Sequence, residues 1–94
     1  MNIIERQNID IIADIMEIVY DINKLDGSPI INIALNGQEF QIHTYEGNKC
    51  HMKLIDLNAN SSRIMRDLLF LKANLAADLV LKRGRIYATN RKAD

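Results

Sequence analysis

Apolar residues recur along the first quarter of the chain at helical spacing. Ile11, Ile15, Ile18, Ile22 and Leu25 follow one another at intervals of four and three, and Ile9, Ile12, Met16 and Val19 form a second row beside them. Together the rows cover roughly 200° of the circumference, against the stripe of about 100° that a surface helix needs. The pattern predicts a helix from an N-cap at Asn2, with Glu5 at capping-box distance, to about Leu25. Asp10, Asp14, Glu17 and Asp21 fill its remaining face. Asp26-Gly27-Ser28-Pro29 then ends it, because Gly27 suits a left-handed cap and Pro29 blocks continuation.

The period then changes to two. Ile30 to Leu35 and Gln38 to Tyr45 are β-prone runs on either side of Asn36-Gly37, a strong hairpin signal for a type I′ turn. With Asn36-Gly37 as the loop, Leu35 faces Gln38, Ile33 faces Phe40 and Ile31 faces Ile42, so one face holds Ile31, Ile33, Leu35, Phe40 and Ile42. Cys50 to Ile55 reads as a third strand. A loop of Gly47-Asn48 alone sets Ile42 against Lys53 and turns Met52 and Leu54 to the other side. A three-residue loop, Glu46-Gly47-Asn48, pairs Ile42 with Met52 and Phe40 with Leu54, and hydrophobic agreement favours it. His43 and His51 are then cross-strand neighbours on a mostly polar face that also carries Ile30, Tyr45 and Ile55.

Asn58-Ala59-Asn60-Ser61-Ser62 offers several N-caps for a second helix, expected from about Ser61 to Arg83. Its seam is Ile64, Leu68, Leu71, Leu75 and Leu79, with Met65, Leu69, Ala76 and Val80 beside it. Asp67, Asn74 and Asp78 mark the outward face, and Phe70 and Leu81 lie toward it. Gly84 suits the position after the helix, Arg85–Thr89 an optional short strand, and residues 90–94 a flexible basic tail. The expected fold is a single α+β domain over residues 1–89, in the order α-β-β-β-α, with two helices on one face of a small antiparallel sheet. That order resembles the small dimeric nucleoid-associated proteins of the YbaB type and some compact phage-encoded inhibitors. The resemblance lies in element order and carries no motif residue.

Composition narrows the class. The chain of 94 residues, 48% hydrophobic and 26% charged, can build one core, and with 5% aromatics and no Trp that core is aliphatic. A lone cysteine forbids an internal disulfide and fits a reducing cytoplasm. The acidic, amphipathic start is unlike a signal peptide, and no apolar run reaches transmembrane length. Net charge is zero but uneven: residues 1–31 hold six acids and two bases, the rest ten bases and six acids.

No arrangement of side chains amounts to an active site. Adjacent residues on a strand point to opposite faces, so Cys50-His51 cannot form a nucleophile–base pair, and Cys50 reads as a small core residue. His43 and His51 lack a third ligand, so neither metal nor cofactor is expected. Arg63 and Arg66, in the first turns of the second helix, suit an anion with Ser61 and Ser62, or more simply pair with acids of the first helix or with Asp67. Two surfaces remain as candidates. The first joins Phe70 and Leu81 with the acidic face Asp10, Asp14, Glu17 and Asp21, and fits a protein partner. The second is the basic C-terminal group Arg83, Arg85, Arg91 and Lys92, near Tyr87, and fits nucleic acid. The expected function is a small cytoplasmic, non-enzymatic protein-binding module of phage or mobile-element type, homodimeric, acting as regulator, inhibitor or adaptor of a larger partner. The alternative is a small dimeric nucleic-acid-binding protein.

Overall fold

A computed structural model describes residues 3–25 and 29–93 and, among these, the side chains of all but Ile4 and residues 86–93. The elements are α1 (Ile3–Asn23), β1 (Ile30–Asn36), β2 (Glu39–Glu46), β3 (Lys49–Asp56) and α2 (Ser61–Ala93). One antiparallel sheet in the order β1-β2-β3 completes the expected α-β-β-β-α arrangement. Asn2 and Asp26-Gly27-Ser28, the expected cap and break of the first helix, lie outside the described residues.

An odd number of antiparallel strands delivers the chain to the end of the sheet opposite the one it entered, back beside the start of α1, so α2 runs parallel to α1. The cross-helix contacts rise together in both helices. Asn8 Nδ2 donates to the Ser61 carbonyl at 3.1 Å, Asp14 meets Lys72 at 2.8 Å, and Asp21 meets Arg83 at 3.6 Å. Each helix gives the core one stripe: Ile11, Ile15, Val19 and Ile22 from α1, and Ile64, Leu68, Leu71 and Leu79 from α2. α1 lies over β1 and α2, more loosely, over β3. Phe40 and Ile42 of β2 complete the buried layer with Ile31.

Two asparagines set the ends of this layer. Asn60 is the N-cap that α2 uses: its Oδ1 accepts from the Ser62 amide at 2.9 Å and its carbonyl from Ile64 at 3.0 Å. Asn23, the last residue of α1, grips β1. Its Nδ2 donates to the Ile31 carbonyl and its Oδ1 accepts from the Ile31 amide, both at 2.8 Å. Those groups lie on the edge of β1 that β2 does not use, so one side chain joins helix to sheet and closes part of an open edge.

Both hairpins differ from the expected registers. Asn36 pairs with Glu39, Leu35 with Phe40 and Ile33 with Ile42, so the loop is Gly37-Gln38. The shift of two positions keeps parity, and the apolar face is as expected. Gly37 has φ +63° and Gly47 φ +59°, while no non-glycine residue described has positive φ. A glycine first and a negative-φ residue second is the type II′ arrangement, not I′. The second loop, Gly47-Asn48, repeats it, and this corrects the three-residue loop. Ile42 pairs with Lys53, Phe40 with Ile55 and Thr44 with His51, so Met52 and Leu54 turn away from the helices. Turn chemistry prevailed over hydrophobic matching because α2 stands off from β3 and offers Met52 and Leu54 little burial there. No residue of β3 is fully buried.

The far end of α2 is also corrected. Gly84 does not terminate it, and Arg85–Thr89 continue the helix instead of forming a strand. No proline follows to stop the turn, and a glycine inside a helix costs only about 1 kcal/mol relative to alanine.

The Asn23 contact is testable. Each hydrogen bond contributes about 0.5–1.5 kcal/mol net, so Asn23→Ala should lower unfolding free energy by roughly 1–3 kcal/mol. Urea unfolding should show a lower midpoint at unchanged slope, and Asn23→Asp, which keeps the acceptor but loses the donor, should fall between.

Candidate interaction surfaces

Three surfaces remain once the core is closed. The first is the back of α2, opposite its buried seam. Phe70 is 66% exposed, Leu81 59% and Val80 67%, with Leu69 also exposed. Leu69 and Val80 were expected beside the seam, but α1 covers only one flank of α2 and they point past it. Ala73, Ala77 and Gly84 lie on the same face and are exposed. From Leu69 to Leu81 this stripe carries no charge, which is unlike the solvent side of an ordinary amphipathic helix.

The second surface is β3, open on both faces. Its helix-side residues His51 and Lys53 are exposed beneath α2. A groove of about 520 Å³ runs there between Thr44, His51 and Lys53 of the sheet and Leu71, Asn74 and Asp78 of α2. The Lys53 ammonium reaches across to the Phe70 ring, 5.9 Å from its centroid. On the opposite face Met52 (55% exposed) and Leu54 (49%) stand with Ile30, Tyr45 and Cys50. β3 therefore shows its polar side to the helix and its apolar side to solvent, the reverse of what a finished sheet edge needs.

The third surface is charged. Asp14 and Asp21 of the acidic stripe are engaged by Lys72 and Arg83, which leaves Asp10 and Glu17 without an ion pair among the described residues. Lys82 pairs with Asp78 at 2.6 Å and Arg83 with Asp21, so of the C-terminal bases only Arg85 has a described side chain without an ion pair among the described residues. The side chains of Arg91 and Lys92 lie outside the described residues. Arg66 meets its neighbour Asp67 at 4.0 Å, the simpler of its two expected roles, and Asn60 already occupies the Ser62 amide.

The histidines do not meet. His43 pairs with Met52 on the open face, where its Nε2 lies 3.0 Å from Gln41 Oε1 and its ring stacks near Tyr45. His51 pairs with Thr44 on the helix side. The even loop puts them on opposite faces and removes the expected adjacency. Among the described residues no three His, Cys, Asp or Glu side chains converge as metal ligands, and no helix is long and apolar enough to cross a membrane. No family model matches the chain, and no curated protein or solved structure shows significant similarity to it.

Sequence reasoning missed the exposure of β3 and of Cys50 because it assumed that the helix-covered face must be the apolar one. Cys50 should therefore react stoichiometrically with Ellman's reagent in the native protein at the rate of a free thiol. Protection until denaturant is added would return Cys50 to the interior and restore the odd loop.

Proposed function

We propose that the chain is a small non-enzymatic protein-binding module of the reducing cytoplasm, homodimeric, that regulates, inhibits or adapts a larger partner, as phage and mobile-element accessory proteins do. The observation that carries this reading is an imbalance in where apolar side chains lie. Among the described residues eleven hydrophobic ones are buried, whereas thirteen large ones are exposed. They are not scattered: most lie on the back of α2, the open sheet face and the outer flank of α1. Full burial of one such side chain is worth about 1.5–3 kcal/mol, so covering a group of them favours association strongly enough to offset part of its entropic cost. The back of α2 suits self-association, since closed two-fold pairs are the commonest oligomers. The open sheet face, with Met52, Leu54, Tyr45 and Ile30, is left for the larger partner.

The alternative, a small dimeric nucleic-acid-binding protein, draws on a different observation. Asp21, near the end of α1, already meets Arg83, so the last ten residues of α2 run on past α1, roughly 15 Å at helical rise. Arg85, Arg91 and Lys92 fall on that extension.

Sedimentation equilibrium should give a dimer for the wild type, and Phe70→Asp with Leu81→Asp should give a folded monomer. A wild type that stays monomeric at high micromolar concentration overturns the homodimer. Capture from native lysate, with and without nuclease, separates the two readings. Retention of the same protein after nuclease supports the module. Loss on nuclease treatment, with a steep salt dependence abolished by neutralising Arg83, Arg85, Arg91 and Lys92, supports the alternative.

A further inference from the structure

Gly84 is out of place in the protomer. It lies inside α2 without the positive φ that calls for glycine, and a Cβ built on it meets nothing within 4 Å. Alanine there would favour the helix at no steric cost within one copy. Gly84 is also seven residues from Ala77 on one side, as Phe70 is on the other, and Ala73 and Leu81 are each four residues from Ala77. In an antiparallel helix pair related by a two-fold axis through Ala77, each residue faces the one equally far from Ala77 on the other copy.

We infer that the exposed face of α2 is the seat of a second copy of this chain, packed antiparallel about Ala77, with Phe70 of each copy received at Gly84 of the other. This rests on the homodimer reading and specifies its geometry. Large then meets small down the centre of the stripe: Phe70 over Gly84, Leu81 over Ala73, and Ala77 against its own counterpart. Small residues at the centre let the backbones approach closely.

Charge agrees with the same register. Asp67 and Arg85 lie on one flank of the stripe, ten and eight residues from Ala77 on opposite sides, so Asp67 of one copy comes beside Arg85 of the other, twice by symmetry. Arg85 has no ion pair among the described residues, and Asp67 has only the contact of 4.0 Å with Arg66. A parallel pair would leave Asp67 and Arg85 eighteen residues apart along the axis and offer no such contact.

The test is disulfide trapping in full-length protein carrying Cys50→Ser. Ala77→Cys places two thiols at the axis, within the Cα separation of about 4.4–6.8 Å that a disulfide requires, and mild oxidation should convert it almost entirely to covalent dimer. Ala73→Cys faces Leu81 and should crosslink poorly. Gly84→Leu should weaken the dimer by roughly thirty-fold or more without loss of helix content, and Phe70→Ala combined with it should recover part of that loss. Arg85→Glu should weaken the dimer, and adding Asp67→Arg should restore it. A dimer by sedimentation that Ala77→Cys does not trap and Gly84→Leu does not disturb overturns this geometry while leaving the homodimer standing. A monomer by sedimentation with no trapping overturns both.

Discussion

The two hydrogen bonds between Asn23 and Ile31 decide where the helices sit on the sheet. They fix the end of α1 to the outer edge of β1 before the meander begins. α2 must then lie on the other side of α1's apolar arc, and Asp14–Lys72 and Asp21–Arg83 hold the two in parallel alignment. Exposed ion pairs contribute only about 0–1 kcal/mol each, so they set alignment more than stability. With α1 anchored at β1, Phe40 and Ile42 rise from β2 to join the helices' buried stripes, and β3 is left under the looser side of α2. The groove beneath α2 and the exposure of β3 follow from that one anchor.

Much of this was legible in the chain. The helical rows, the glycine-bearing loops and the strand runs identify five elements in the right order, and the apolar face of β1 and β2 was right even though the first register was off by two. The exposure of Phe70 and Leu81 was legible because helical spacing turns both away from the buried seam. The misses have physical causes. Asn23 looks like any polar residue at a helix end, since its value depends on a partner eight residues away across a turn. The register of β3 was assigned on the premise that covered means apolar, and a helix that stands off removes the premise. Gly84 was assigned to a cap because glycine near basic residues usually is one; only the helix running through it shows that its missing side chain needs another reason.

The α2 stripe and the open sheet face lie on opposite sides of the protomer, because α2 is part of the layer that covers the sheet's other face. In the proposed pair the helices meet at the centre and the two sheets face outward, away from each other. Each outward face carries the same Met52, Leu54, Tyr45 and Ile30. A dimer of this kind presents two identical apolar faces at once, and a partner with repeated or symmetric sites would bind it with avidity set by the spacing between them, without any new contact. A separate monomer would offer one such face and lose that gain. On this proposal the geometry of α2 sets how strongly the sheet would bind, without any stripe residue in the contact.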